Sequence, residues 1–400
     1  MKLFQNQKGI ALIFVMFTMV IAVYLVTEIS YESNVEYIVN ANAINRVKAY
    51  YAAKSAVDLS LLRIKIYSKI NKQFGNQIPP QMQQYIEYIW SFPLLWPLPI
   101  DEDAFLVEKE AVKEALEASK MDASYRVAIS DEGSKIDIND LGSPVKALRE
   151  SSEKLIRGIF ESRMLQDEEF AQKYRDYNFD ELILQIKDWL DADTVSQVGG
   201  DESQFYPEAS EDNIRFPPNR QFRTLDELRL IPKMNDEIFQ LLKDQVTIFG
   251  NKGINPNNAS VDLLRSLDPS INLEIATEVR KRVTNPAEGG PFRDANDFWQ
   301  FLSSKGGNVS QETQTSLPLF FENAANFKIE ATGTFGTTSR TLVAYVFDPQ
   351  LVAGKIANAS ARELKNETDN KNSSSNQKKQ GTNNEPLPKG PPRIVYFSER

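Results

Sequence analysis

The sequence predicts an α+β fold in which a long N-terminal helix leads into a small sheet that a large helical insertion interrupts. Three observations favour this architecture. Residues 10–74 contain neither Pro nor Gly. Segments with the alternation of strands lie at residues 125–129, 327–332 and 340–347. Between the first strand and the second, the apolar residues follow mostly helical spacing. With 400 residues, the chain is long enough for several domains.

Composition excludes several classes of chemistry. The chain has no Cys and no His, so disulfides, Cys/His zinc sites, thiol nucleophiles and Ser-His-Asp triads are excluded. Its 46 basic and 55 acidic residues give a formal charge of −9. This acidic balance argues against a general nucleic-acid binder, which normally carries a basic surplus.

The N-terminus predicts a membrane anchor. Residues 1–9 form a polar leader with two lysines, and residues 10–26 are apolar except Thr18. No small-residue signal-peptidase site follows. We therefore expect a transmembrane helix over residues 10–29, a cytoplasmic leader and the remainder outside. A buried core helix is the alternative. Residues 30–77 should continue as an amphipathic helix, since apolar residues recur at helical spacing.

The junction Lys8-Gly9-Ile10 resembles the processing site of prepilins. That resemblance implies that prepilin peptidase cleaves between Gly9 and Ile10 and that the new N-terminal Ile10 is methylated. Most prepilins carry Glu at the fifth mature position, whereas this chain has Phe14 there. In that family, the known exception is the large minor pseudopilin K of type II secretion.

The remaining chain divides by composition and pattern. An irregular, proline-rich loop belongs to a pilin-like part at residues 78–140, and residues 141–322 form the helical insertion. Residues 323–350 read as a hairpin turning around Gly333–Gly336, which completes the sheet. The segment 351–392 is rich in Asn, Lys, Ser and Gln and is predicted to be disordered. Residues 393–400 should return as a last edge strand or fray.

Repeated motifs run through the insertion. Phe222-Arg223 with its following helix recurs as Phe292-Arg293. Residues 225–231 also resemble residues 261–267, and each of these two segments is followed by a polar break and another helix. Chance similarity between amphipathic helices is the alternative. These units resemble helix-hairpin-helix modules, so a membrane-anchored DNA-binding protein is the second functional candidate. Arg280, Lys281 and Arg282 could contact phosphate, but the preceding turn has no Gly and contains an acid.

The most specific match starts at residues 188–193, Asp-Trp-Leu-Asp-Ala-Asp, followed by Gly199-Gly200, Glu202 and an aromatic pair. This pattern resembles the minor pseudopilin K family of type II secretion over most of residues 1–350. Asp201 and Ser203 depart from it. The resemblance implies a structural protein rather than an enzyme, located in the bacterial inner membrane with a periplasmic domain. It would help to initiate or cap the pseudopilus tip and to export folded proteins. The implied partners are minor pseudopilins I and J, the major pseudopilin and prepilin peptidase, with no nucleic acid.

The same acids predict a metal site. Asp191, Asp193 and Glu202 can supply oxygen ligands if the helix ends near Leu190 and the Gly-Gly turn brings Glu202 back. Calcium suits such an irregular oxygen site better than magnesium, and the family resemblance also implies calcium. A solvated acidic loop and a paired-carboxylate glycoside hydrolase are the alternatives.

Overall fold

A computed structural model gives the fold of most of the chain. It describes residues 7–74, 86, 89–98, 110, 113–114, 116–119, 121–206, 216–250, 252–321, 324–354, 356–357 and 390–400. Of residues 7–10 and 286 only the backbone is described.

The first helix, α1, spans Gln7–Phe74 without interruption. Its 68 residues make a rod about 100 Å long, which confirms the continuous helix predicted from the lack of Pro and Gly. The helix ends directly before Gly75. From Ala11 onward it contains a window with a mean hydropathy of 2.4 that is entirely unburied. By length and composition, this part can cross a membrane.

A five-stranded antiparallel sheet lies beside the second half of α1. The strands, in chain order, are β1 (Leu94–Trp96), β2 (Ser124–Asp131), β3 (Ile136–Asp137), β4 (Val246–Thr247), β5 (Asn326–Phe335), β6 (Thr338–Phe347) and β7 (Arg393–Glu399). The order in the sheet is β1-β2-β5-β6-β7, while β3 and β4 form a separate parallel pair. The predicted hairpin and the last edge strand are both confirmed, since β6 pairs with β5 and β7.

The helix contacts the sheet at Gly333. A Cβ atom at this position would lie 2.1 Å from the Ala49 carbonyl oxygen, so only glycine permits the approach. Gly333 therefore lies within β5, and the hairpin turn consists of Gly336 and Thr337 alone, because Phe335 pairs with Thr338. This corrects the prediction that the turn begins at Gly333.

The described part of the proline-rich loop packs on this layer. Trp90 is 6% exposed and contacts Tyr67 and Phe327 edge to face. This aromatic residue therefore belongs to the core beneath α1, as expected for a packed irregular loop.

The insertion between β2 and β5 is helical and has its own hydrophobic core. Its α-helices are α2 (Lys146–Gln166), α3 (Glu168–Lys173), α4 (Phe179–Leu190), α5 (Asp236–Lys243), α6 (Val261–Ser266), α7 (Leu273–Thr284), α8 (Ala295–Ser304) and α9 (Gln311–Ser316). Short 3₁₀ turns lie at Glu132–Ser134, Ile138–Gly142, Glu202–Phe205, Leu225–Leu230 and Pro286–Glu288. Together with the sheet, these helices confirm the predicted α+β class.

The sequence repeat corresponds to a repeated structural contact. The Asn139 amide accepts a hydrogen bond from Phe222 N at 2.8 Å and donates one to Phe222 O at 3.3 Å. Asn257 makes the same pair of bonds with Phe292, at 2.8 and 2.9 Å. The units differ in one respect, because Leu225–Leu230, after the first Phe-Arg, is a 3₁₀ turn whereas α8 is an α-helix.

The segment predicted to be disordered lies mostly outside the described residues, at 355 and 358–389. Its start is corrected, because residues 351–354 are helical. The cause is Asp348, whose carboxylate accepts hydrogen bonds from the backbone N–H groups of Gln350 and Leu351. Such a cap satisfies donors at the start of a helix.

Candidate metal centre

The helix α4 places the first acids of the candidate site. It starts at Phe179, where the side chain of Asn178 caps the helix by accepting a hydrogen bond from Glu181 N. It ends at Leu190, and Asp191 has extended backbone angles, as the sequence predicted. Asp188 in the last turn and Asp191 just after it are three residues apart, a spacing that brings side chains to the same side.

The loop after α4 brings the third acid back. Gly199 and Gly200 have φ angles of +112° and +87°, which favour glycine and reverse the chain. The returning strand is fixed by a hydrogen bond from Glu202 N to Thr194 O at 3.2 Å. Glu202 consequently points into the protein and is only 2% exposed.

Three carboxylates meet at this point. One ligand atom each of Asp188, Asp191 and Glu202 lie within 4.8 Å of one another. Asp188 is held in place because its oxygens accept hydrogen bonds from the Ser196 hydroxyl at 2.7 Å and from Gln197 N at 3.0 Å. By contrast, Asp191 Oδ1 and Glu202 Oε1 are buried and have no hydrogen-bond partner in the described structure.

A side-chain amide, that of Asn219, lies next to the carboxylates. Asn219, in the left-handed region at φ +48°, donates a hydrogen bond to the backbone carbonyl of Asp193. Its Oδ1 atom is buried and accepts no hydrogen bond from any described residue. Hydrogen bonding by Asn219 also opposes the increase in the pKa of Glu202. The Asn219 side chain therefore lies next to both Glu202 and the backbone of Asp193.

The structure differs from the predicted ligand set at one position. The carboxylate of Asp193 lies outside the group, because it is exposed and accepts a hydrogen bond from Val195 N at 2.8 Å. Asp188 takes its place among the carboxylates. Sequence reasoning missed Asp188 although it stands three residues before Asp191, and it missed Asn219 because no local pattern links that residue to the loop.

The three clustered carboxylates are unfavourable in their ionised form when no cation is bound, because they are wholly or partly buried and repel one another. Burial, together with the neighbouring Asp191 carboxylate, raises the pKa of Glu202 to about 7. Burial is also the main cause of the raised pKa of Asp191, to which Asp193 and Asp188 contribute. A divalent ion would convert this mutual repulsion into attraction. The unpartnered oxygens of Asp191 and Glu202 therefore fit a hard cation, and the oxygen-only donor set suits calcium.

The hydrolase alternative requires acids that a polysaccharide can reach. Asp188 and Glu202 are 4% and 2% exposed, and Asp188 already uses both oxygens for hydrogen bonds within the loop. A raised pKa alone does not make an acid catalytic, so this geometry favours ion binding over glycoside hydrolysis.

The cations considered for DNA contact are engaged within the protein. Arg280 donates to the carbonyl oxygen of Asn257 at 2.6 Å, and Arg282 pairs with Asp297 at 2.7 Å. Lys281 lies 3.2 Å from Glu288. Because these three side chains already have partners within the protein, they do not form a site for a DNA phosphate.

The predicted cleavage site lies at the start of α1. The backbone at Gly9 and Ile10 is helical, while residues 1–6 lie outside the described part. Phe14 is 68% exposed on the helix surface. The cleavage between Gly9 and Ile10 and the methylation of Ile10 stay predictions.

Comparison with known proteins gives a family match for part of the chain and a similar fold for most of it. Residues 134–251 match the family model of type II secretion system protein K, and no curated protein sequence matches the chain. A solved structure, the GspK-GspI-GspJ complex of the type 2 secretion system from enterotoxigenic Escherichia coli, contains a chain with a similar fold. The two are 16% identical with a TM-score of 0.52, and the match covers 78% of this chain and 95% of that chain. The resemblance to minor pseudopilin K drawn from the motifs is confirmed over residues 134–251, which carry the domain of type II secretion system protein K.

Proposed function

We propose that this chain acts at the tip of a periplasmic pseudopilus, where it helps to initiate and cap assembly for the export of folded proteins. The observation that carries the proposal is the family match of residues 134–251. The shape supports it as well. One rod about 100 Å long carries a sheet and a helical insertion at its far end. A wide head on a narrow rod obstructs the addition of further subunits above it.

The proposed partners are minor pseudopilins I and J, because the structurally similar chain was solved in a complex with GspI and GspJ. The residue at position 14 supports a terminal place in the filament. An acid buried in the membrane is stabilised only when a neighbouring amine pairs with it. Phe14 has no such requirement, so this subunit needs no neighbour above it. The major pseudopilin would lie below.

The proposed location is the bacterial inner membrane, crossed once by α1, with the remaining chain in the periplasm. Lysines 2 and 8 precede the apolar segment, which favours a cytoplasmic leader. Prepilin peptidase would cleave after Gly9, and Ile10 would become the methylated N-terminus. The role is structural assembly, with neither catalysis nor nucleic-acid binding.

Processing gives the test of this proposal. N-terminal sequencing of the membrane-extracted protein should find Ile10 when prepilin peptidase is co-expressed and Met1 when it is absent. A Gly9→Leu variant should keep its leader in both cases. A wild-type protein that retains Met1 in the presence of active peptidase would contradict the pseudopilin assignment.

We also propose that calcium binds at the acidic group. The residues that would hold it are Asp188, Asp191 and Glu202, and the side chain of Asn219 lies next to Glu202. The ion would supply positive charge that links the end of α4 to the returning loop. Its role would be to order the insertion rather than to catalyse a reaction.

A further inference from the structure

The insertion contains a large groove whose lining includes none of the acidic loop residues. Its volume is about 740 Å³, and its walls come from α2, the start of α4 and the turn between α6 and α7. This size lies within the range of ligand-binding pockets, about 300–1,000 Å³.

The floor of the groove is a close contact between two helices. A Cβ atom on Gly158 of α2 would lie 2.2 Å from the carbonyl oxygen of Ser266 at the end of α6. The backbones therefore touch there. The apolar residues that line the groove around this contact include Phe160, Phe179, Leu267 and Ile271.

The lining is mostly apolar and continues onto the surface. Phe160 and Phe179 stack with their ring centroids 4.4 Å apart. At the rim, Leu165 is 78% exposed. Leu273 follows the lining residue Asn272 and is 56% exposed. An apolar cavity that is continuous with exposed leucines is typical of a surface that binds another protein.

The charges around the groove single out one cation. Arg157 pairs with Asp180 at 2.8 Å, and Lys154 donates a hydrogen bond to the Thr313 hydroxyl at 2.7 Å. Arg265 makes no ion pair with any residue that the structure describes, and its Nε atom is buried without an acceptor. Although exposed Glu161 also borders the groove, the five charged lining residues leave one net positive charge on a chain of formal charge −9.

We propose that this groove binds a peptide segment of a partner protein that carries apolar or aromatic side chains next to a carboxylate. The apolar side chains would fill the space between the phenyl rings and Leu267, and the carboxylate would accept hydrogen bonds from the Arg265 guanidinium. A segment is favoured over a small amphiphile because the exposed rim leucines extend the apolar surface beyond the cavity. Arginine at the edge of an apolar pocket is a common centre of protein recognition.

The test uses the full chain in lipid nanodiscs on an array of random ten-residue peptides. Wild type should bind peptides enriched in Asp or Glu next to Leu, Phe, Tyr or Trp. R265E should shift the enrichment from acidic to basic residues, because it reverses the charge that selects them. L165S should weaken binding at least tenfold. The matched control is L230S, since Leu230 is 50% exposed and lies outside the groove lining.

Three results would overturn the proposal. The first is an array with no enriched peptides. The second is an enrichment that survives R265E and L165S in variants that melt like wild type. The third is saturable binding of laurate, measured by calorimetry, without any peptide preference, which would assign the groove to a small amphiphile. If R265E fails to fold, L165S alone decides, because that exposed side chain contributes little to the core.

Discussion

Replacing Glu202 with Gln should stabilise the calcium-free protein while removing its response to calcium. Glu202 is almost fully buried, and burial with the neighbouring Asp191 raises its pKa from 4.5 to about 7. In the unfolded chain this proton is lost near pH 4.5, whereas the folded protein keeps it until about pH 7. The folded state therefore binds more protons in this window, so the free energy of unfolding falls as the pH rises through it.

The magnitude follows from the two pKa values. Their difference corresponds to about 3 kcal/mol that the calcium-free protein loses by pH 8. E202Q removes the charge and keeps the shape. In EGTA at pH 8, its free energy of unfolding should exceed that of wild type by up to about 3 kcal/mol. At pH 4 the two proteins should differ little.

Denaturant unfolding with EGTA or calcium measures both effects. At a hundredfold excess over Kd, calcium should stabilise wild type by about 2.7 kcal/mol and leave E202Q unchanged. Asp193→Asn is the matched control, because its amide oxygen can still accept the hydrogen bond from Val195 N; it should respond like wild type. The reasoning is refuted if E202Q is less stable than wild type in EGTA at pH 8 or still responds to calcium.

Three further predictions rest on single contacts. Calcium affinity, measured by calorimetry, should rise about fivefold from pH 6 to pH 7 and level off above, because Glu202 must lose its proton. Gly333→Ala should lower the free energy of urea unfolding by about 1–3 kcal/mol, because its Cβ meets the Ala49 carbonyl; unchanged stability would contradict this contact. Asn257→Ala should cost about 2–4 kcal/mol in the same assay, because it leaves two buried backbone groups of Phe292 without partners.

Local sequence signals predicted much of the fold. The continuous α1 follows from the absence of Pro and Gly in residues 10–74, and the β5–β6 hairpin follows from alternation. The end of α4 at Leu190 and the return through Gly199-Gly200 were also predictable. Each of these features depends on neighbouring residues in the chain, whose preferences the sequence displays directly.

The parts that sequence reasoning missed depend on tertiary contacts. Asp193 was predicted as a ligand and Asp188 was not, yet the Asp193 carboxylate accepts a local hydrogen bond from Val195 N, while Asp188 is oriented by Ser196 and Gln197. Asn219 reaches the site from a separate segment of the chain. Neither a hydrogen bond between residues two apart nor a contact with a distant segment produces a periodic pattern in the sequence.

Assembly in solution tests the central claim most directly. The mature chain can be co-purified with minor pseudopilins I and J, and native mass spectrometry with light scattering gives the composition of the complex. The account predicts one stable species that contains one copy of each subunit. A chain that remains alone while I and J form their own pair, under conditions in which its melting curve shows a folded protein, would contradict the proposed place at the pseudopilus tip.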